Sequence, residues 1–287
     1  MSFNVGGFVS NRPACNHWSR RAPLVSELLR TWQPDLVAAQ EVQPGNVDVL
    51  RGALPDHAVF WGHATHTPQP SLEATYNPIF WRRNRFCFVR SGSFFLSQTP
   101  GTWSRGWDAF NVRSATWIHL RNRESGQRLL LCNAHLDHRG RRARTEASRL
   151  IITRLGTIWQ DEEGPVFLAG DFNSRAWAPR DENPAAYPPP VLSEYLPEAG
   201  TVYALYSSAG FRDAFIEAGF AESLDTNTYH DFEGHRFPKV AFRIDWILFK
   251  DELNKVTIND YNIIQTSCDG CFPSDHYPII ANLALSI

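Results

Sequence analysis

The strongest constraint on this 287-residue chain is its punctuation. Roughly ten short apolar runs are bounded by Gly, Pro, Asn and Asp, while two or three segments carry helical period. Leu24, Val25, Leu28, Leu29 and Trp32 share one helical face before Pro34 stops it. Residues 43–53 suggest a short helix, and 141–159 a long one, with Ala147, Leu150, Ile151, Arg154, Leu155 and Ile158 at helical spacing. Strands are predicted at the start of the chain and at 35–41, 57–61, 78–82, 86–96, 114–120, 128–136, 166–169, 211–215, 242–249, 255–264 and 277–285. The pair at 114–120 and 128–136 is joined by a turn at Glu124-Ser-Gly-Gln. This pattern is too rich in strands for a doubly wound sheet. It predicts an α/β (α+β) chain built as two packed sheets with helices outside.

Composition excludes several classes. With 43% hydrophobic and 20% charged residues the chain is ordinary globular material, with no break that would mark a linker, so one domain over 1–287 is expected. No apolar run approaches the ~18 residues of a membrane span, and no leader pattern opens the chain. A cytoplasmic protein is expected, with a secreted form whose leader was removed as the alternative. The net charge of -2 offers no global attraction for nucleic acid. Of the 28 basic residues only Lys239, Lys250 and Lys255 are lysine. Arginine suits bidentate phosphate binding, but a GC-rich genome produces the same bias. Five cysteines at irregular spacing argue against a disulfide scaffold. Cys268 and Cys271 form a lone C-x-x-C without a second pair at zinc spacing, so a reducing compartment is the better fit.

Polar groups recur where these strands end. In Pro165-Val-Phe-Leu-Ala-Gly-Asp-Phe-Asn-Ser174, Asp171 and Asn173 stand two apart, which places them on one face if the strand continues past Gly170. A turn at Gly-Asp and Asn-Ser is the competing reading. Asn4, Glu41, the His135/Asp137 pair, Asp245 and the Asp275-His276 pair occupy comparable positions. Taken singly, Asn4 reads equally as a strand-edge residue, Glu41 as a helix-start charge and His135 as a core histidine. Asp245 lies between Ile244 and Trp246, where an unpaired carboxylate is costly, so a protonated histidine is its natural partner. Together these hard oxygens and imidazoles, with no thiolate nearby, favour Mg²⁺ or Mn²⁺ in the service of phosphate chemistry.

The segments Phe-Asn4-Val, Gln-Glu41, Asn-Ala-His135-Leu-Asp, Gly-Asp171-Phe-Asn173, Arg-Ile-Asp245-Trp-Ile-Leu and Ser-Asp275-His276-Tyr-Pro resemble the endonuclease/exonuclease/phosphatase family, in order and across the whole chain. The resemblance implies a four-layer αββα sandwich of mainly antiparallel sheets and a metal-dependent hydrolysis of a phosphoester. It implies that Glu41 is the main metal ligand with Asn4 and Asp275 close by. Asp171 would act on the attacking water, Asn173 would hold a phosphate oxygen, and His276 would be oriented by Asp245. His135 would be a second imidazole on the phosphate. Thr75 stands where the family pattern leads one to expect a carboxylate, with Glu73 two positions earlier.

Arg82-Arg-Asn-Arg85-Phe, Ser104-Arg-Gly-Trp107-Asp108, Arg113-Ser-Ala-Thr-Trp and His135-Leu-Asp-His138-Arg-Gly resemble a bacterial and fungal subgroup of that family. On that basis Arg113, Asp108, Tyr76 and Trp177 are candidate substrate contacts. Arg139, Arg141, Arg142 and Arg144 cluster at a helix start, where cations oppose the dipole and a solvated face is the simpler reading. The Pro-rich passage 175–200, with Trp177, Tyr187 and Tyr195, is expected to be a long ordered loop at the active-site end. The chain is therefore expected to be a monomeric phosphoesterase for a small or single-ended ester. A DNA nuclease or abasic-site endonuclease is one alternative, and a catalytically degenerate phospho-ligand-binding module another.

Overall fold

The computed structural model describes residues 1–7, 14–65, 67, 71, 73–160, 162–183 and 198–286. One six-stranded sheet contains β1 (Ser2–Asn4), β2 (Leu36–Gln40), β3 (His57–Phe60), β4 (Ile79–Arg82), β11 (Val256–Ile263) and β12 (Ile279–Leu285), in the order β11-β12-β1-β2-β4-β3. The other contains β5 (Phe86–Phe95), β6 (Ser114–Asn122), β7 (Arg128–His135), β8 (Val166–Asp171), β9 (Arg212–Asp213) and β10 (Asp245–Lys250), in the order β5-β6-β7-β8-β10-β9. Both sheets are mixed, because β1 and β2 run parallel, as do β7 and β8. The remaining pairings are antiparallel.

The period of two sorts each strand into an inner and an outer face. Ala38, Ile79, Leu129, Leu131, Phe167, Ala169, Ile247 and Phe249 form the core between the sheets. Their neighbours face outward. Phe3, Val37, Ala39 and Phe80 pack with Val25, Leu28 and Leu29 of α1 (Trp18–Trp32) and Leu50 of α2 (Val47–Ala53). Leu130, Cys132, Leu168, Trp246 and Leu248 pack with Ala147, Ile151 and Leu155 of α3 (Arg141–Trp159) and with Val202 and Tyr206 of α4 (Thr201–Ser208). The result is a four-layer α/β sandwich.

Three local expectations are revised. Trp32 stays 36% exposed, because α1 ends at once in a left-handed Gln33 whose N–H returns to Leu29 O. The strand predicted at 211–215 is only the two residues of β9, since Asp213 accepts the Phe215 N–H at 3.0 Å and starts α5 (Ala214–Glu217). The strand predicted from 242 begins at Asp245, so this carboxylate opens β10 rather than interrupting it. No helix among the described residues is long and apolar enough to cross a membrane.

Candidate active site

The inner-face parity that buries Phe167 and Ala169 carries on to Asp171, and that of Leu129 and Leu131 carries on to Asn133 and His135. Ile247 and Phe249 put Asp245 on the same face, and Ala38 does so for Gln40. Asn4 alternates with Phe3 and Val5, which belong to the outer cluster. Register then aligns the ends: His135 lies opposite Asp171, Asp171 opposite Asp245, and Asn4 opposite Gln40. Gln40 and Asn133 spend this polarity on structure. Gln40 Nε2 donates to Asn133 Oδ1 at 2.8 Å, and Asn133 Nδ2 donates to the Ala39 and Pro78 carbonyls, stitching the two sheets. Gly170 permits the close approach, because a Cβ there would lie 1.9 Å from Ala134 O.

One end of the seam gathers the remaining groups around Asp171. Asn4 Nδ2 donates to Asp171 Oδ2 at 3.0 Å and lies 3.3 Å from Glu41 Oε1. His135 Nε2 stands 3.4 Å and His276 Nε2 3.7 Å from the same Asp171 oxygen. Behind His276, its Nδ1 meets Asp245 Oδ2 at 2.8 Å, which supplies the partner the burial of Asp245 demands. All five of Asn4, His135, Asp171, Asp245 and His276 are buried.

Electrostatics divides the labour. Burial, and the Asp245 carboxylate opposite, push the Asp171 carboxyl up to about 7 against the pull of His276. For His276, burial opposes the charge, but Asp245 and Asp171 outweigh it and raise the imidazole to about 10. His135 goes the other way, its pKa lowered well below the ordinary value by burial and by the Arg113 guanidinium. Arg113 NH1 lies 2.9 Å from His135 Nε2 and its NH2 3.3 Å from His138 Nδ1. With a guanidinium donating to Nε2, the neutral His135 keeps its proton on Nδ1.

A charged His276 and a neutral His135 can be told apart directly. In the metal-free protein, imidazole nitrogen NMR should show His276 protonated at about pH 8.5 and His135 neutral through the usual histidine range. Because the folded pKa of His276 exceeds the unfolded one, its stabilising contribution is complete below pH 6.5 and is lost as pH rises toward 10. A His276 resonance titrating near 6.5 would contradict the pairing with Asp245.

Asn173 sits in the left-handed region at φ 45°, so the segment after Asp171 is a turn and does not extend the strand. Its N–H returns to Asp171 Oδ1 at 2.9 Å, and its Nδ2 donates to Leu136 O at 3.0 Å. Asn173 therefore locks the Asp171 rotamer in this structure instead of presenting its amide N–H to the site. Asp137 is also structural. It accepts backbone N–H groups from Phe110, Asn111, Arg139 and Gly140, and these outweigh burial to lower its pKa.

Asp108 has a different job from the substrate contact expected of it. Its carboxylate accepts the Arg142 N–H at 3.2 Å and the Ala143 N–H at 2.6 Å, capping an α3 whose N-cap residue Gly140 has no side chain to do so. Asp108→Ala should cost about 1 kcal/mol in urea unfolding and leave kcat/KM unchanged. A fall in kcat/KM at unchanged stability would return Asp108 to the site. Of the arginines expected to lie on a solvated face, Arg144 is buried and forms an ion pair with Glu198.

Tyr76 is half-buried, its ring edge-on to Trp61 and its backbone bridged to Val42 beside Glu41. Thr75 Oγ1 donates to the Glu73 carbonyl, and Glu73 is exposed. The side chain that meets His135 at 2.9 Å is the guanidinium of Arg113. Trp177 is 38% exposed next to the loop base, which is closed by Arg175 N–H to Glu198 O and Gly200 N–H to Arg175 O. Tyr187 and Tyr195 lie outside the described residues.

For a cation, the test is what surrounds Glu41. This residue is strained at φ 57°, and its Oε2 lies 3.4 Å from where a Gly7 Cβ would stand. Asp275 Oδ1 lies 2.6 Å from the corresponding point at Gly6. Both glycines have positive φ, so two carboxylates flank a turn that no side chain can fill. These hard oxygens suit Mg²⁺ or Mn²⁺. Asn4 differs from the expectation of an oxygen ligand, since its Oδ1 accepts the Gly6 N–H and its nitrogen faces Glu41. Ligand atoms of Asp171, Asp245 and His276 also lie within 4.8 Å of one another. A His276 held cationic by Asp245 has no lone pair to give a metal, which sets this group apart from the carboxylates beside Gly6 and Gly7.

Sequence reasoning missed Arg21, Gly6 and Gly7. The buried Arg21 donates to the Val5, Gly6, Gly7 and Pro273 carbonyls, fixing the turn against the segment that carries Asp275. A helical Arg on the apolar side of α1, facing a Gly-Gly pair, was the available signal.

Comparison with known proteins agrees with this fold. The chain is similar to an endonuclease/exonuclease/phosphatase of Bacteroides vulgatus, with 25% identity over 99% of this chain and 97% of that one and a TM-score of 0.80. It is similar to a mannosyl-6-phosphatase of Bacteroides thetaiotaomicron, with 23% identity, coverage of 99% and 98% and a TM-score of 0.79. It is also similar to D. rerio TDP2 complexed with single strand DNA product, with 21% identity, coverage of 98% and 96% and a TM-score of 0.66. No curated protein sequence matches it. A sequence model of the endonuclease/exonuclease/phosphatase family matches residues 1–276, more than nine-tenths of the chain, and the protein belongs to that family.

Proposed function

We propose that the protein is a Mg²⁺- or Mn²⁺-dependent phosphoesterase, one catalytic domain over 1–287, acting on a small or single-ended phosphoester. The observation that carries this reading is Asp171. Its buried carboxylate is held by Asn4, flanked by one cationic and one neutral imidazole, and poised near neutrality. Such a group can take a proton from an attacking water. His276, kept cationic by Asp245, donates from Nε2 to a phosphate oxygen as negative charge develops. Arg113 and His135 offer a second point of contact for phosphate oxygens on the other side of Asp171. Glu41 and Asp275, with Asn4 beside them, would hold the cation, which when bound neutralises phosphate charge as a Lewis acid.

Support for a small substrate comes from the loop after Asn173, which leaves and returns at one base beside the site. The similar structures include a mannosyl-6-phosphatase and TDP2 complexed with single strand DNA product. The test is a panel of sugar phosphates, nucleotides, end-phosphorylated single strands and supercoiled plasmid, with Mg²⁺ or Mn²⁺ and with chelator. Metal-dependent release of phosphate or alcohol from small or single-ended esters, with plasmid intact, is expected. Plasmid nicking with the small esters untouched would replace this reading with a nuclease. Inactivity on every ester with metal present would make the protein a binding module.

The loop should set preference. Replacing residues 184–196 with a short Gly-Ser linker keeps the Arg175–Glu182 and Arg144–Glu198 pairs. It should shift the ratio of kcat/KM between plasmid and small esters by about tenfold or more while metal dependence persists. An unchanged ratio would remove the loop from specificity.

A further inference from the structure

Asp245 and His276 come from two segments that both pack against a third, residues 227–230. Backbone N–H groups at a buried strand end need acceptors. Among the described residues the pairing of β10 with β9 covers Leu248 and Phe249, so the start of β10 runs past the end of its neighbour. A side chain takes the place of the missing strand. The Thr228 hydroxyl accepts the Ile244 N–H and the Asp245 N–H, each at 3.0 Å, and donates to Phe242 O at 3.5 Å. The backbone of the same stretch grips the other partner. Thr228 O accepts the Tyr277 N–H at 2.6 Å, and the His230 N–H donates to Asp275 O at 2.9 Å. Tyr229 is thereby bridged antiparallel to His276, and its ring stands edge-on to the imidazole, with centroids 5.1 Å apart and planes at 68°. Thr228 itself is fully buried.

We propose that Thr228 is a positioning residue for the reaction. Its hydroxyl holds the backbone of Asp245 and its carbonyl holds the backbone beside His276, so this one residue sets the spacing of the pair and the aim of His276 Nε2. Its effect on rate rests on the phosphoesterase reading; its effect on the pair rests on the geometry alone. Without the hydroxyl, two buried N–H groups lose their acceptor, and the start of β10 must shift to find another. The 2.8 Å contact of His276 Nδ1 with Asp245 Oδ2 shifts with it. A displacement of about 1 Å in a group that donates to a phosphate oxygen is enough to slow the chemical step. Asn227 provides the contrast. Its Oδ1 accepts the Phe242 N–H at 2.6 Å and its Nδ2 donates to Pro238 O at 2.9 Å, so it steadies the same stretch without touching either member of the pair.

The test compares Thr228→Val, Thr228→Ser and Asn227→Ala in the full chain by two readouts. The first is the low-field proton resonance of His276 Nδ1–H in metal-free protein at about pH 7, assigned by its loss in His276→Gln. It should move upfield or broaden away in Thr228→Val, return in Thr228→Ser, and stay in place in Asn227→Ala. The second is hydrolysis of the best ester found for wild type, with Mg²⁺ or Mn²⁺. Thr228→Val should lower kcat by about tenfold or more with KM within about twofold, and serine should restore most of the loss. Should the valine variant fail to fold, Thr228→Cys carries the same comparison, because a thiol is a weak acceptor. An unmoved resonance in the variant lacking the hydroxyl, an equal shift in Asn227→Ala, or an equal fall of kcat in valine and serine variants would each overturn the role of Thr228. A wild type that hydrolyses no ester would overturn the phosphoesterase reading instead, and the resonance would still decide the positioning.

Discussion

Asp171→Asn should lower kcat/KM by about a thousandfold or more, because the amide cannot accept the proton of the attacking water. The fold should survive the change. The carboxylate that Asn replaces is itself a burden on the folded state: its pKa is about 7 there and 3.8 as a free side chain. Between those values the native protein holds more protons than the unfolded chain, so stability attributable to this group falls as pH rises from about 4 to 7. Removing the charge relieves that loss, while the substituted amide keeps an oxygen for the Asn173 N–H and gives up the bond from Asn4. At pH 8 the variant should melt within about 5 °C of wild type. Asp171→Ala should be equally inactive. Activity within tenfold of wild type in either variant would mean that another group takes the proton, with His135 next in line once Arg113 is drawn to a phosphate.

That prediction rests on residues whose local spacing announced them. Asp171, Asp245, His135 and Asn4 are strand-end residues, the first three on the same parity as the inner core. A period of two, continued past the last apolar residue, is a local signal that sequence carries well. The helices of the outer layers were legible for the same reason where their apolar faces were long, as in α1 and α3. What was not legible depends on pairs remote in the chain. Asp108 reads as a loop carboxylate until α3, beginning at Arg141, brings its open N–H groups alongside. Asn173 looks like the second tooth of an extended strand, yet its positive φ turns its side chain to Leu136 O. Arg113 reads in sequence as a candidate phosphate contact, and nothing near it in the chain tells that it lies between two imidazoles, where its charge selects the tautomer of His135. In each case a long-range contact overrode or created a role that nearest neighbours in sequence could not report.

The largest stability effect should come from one such remote cluster, at Arg243. This guanidinium is fully buried, donating from NH2 to Asp213 Oδ2 at 2.6 Å and from Nε to Glu222 Oε1 at 2.7 Å, with its charge 4.6 Å over the Phe215 ring. Asp213 meanwhile caps α5 and accepts the Tyr203 hydroxyl at 3.1 Å. Arg243→Ala leaves two carboxylates facing each other in the core, which should cost about 3–5 kcal/mol in urea unfolding at pH 7. Lysine should not rescue it, since one ammonium cannot reproduce the fork that reaches both acids. The sign of the pH dependence is determined by Glu222, whose pKa is raised by burial even with Arg243 pulling it down. Without the arginine it rises further, so the native variant takes up protons that the unfolded chain does not, and its deficit should shrink as pH falls toward about 5. Arg243→Met combined with Glu222→Gln should recover part of the loss by removing one stranded charge. Arg243 stands two residues before Asp245, at the point where β10 begins, so the same variant should also loosen the anchor of His276. In the ion-free Arg243→Ala protein, that imidazole should titrate at lower pH than in wild type. A cost below about 1 kcal/mol, with His276 unmoved, would mean that the two acids are neutralised by some route other than Arg243.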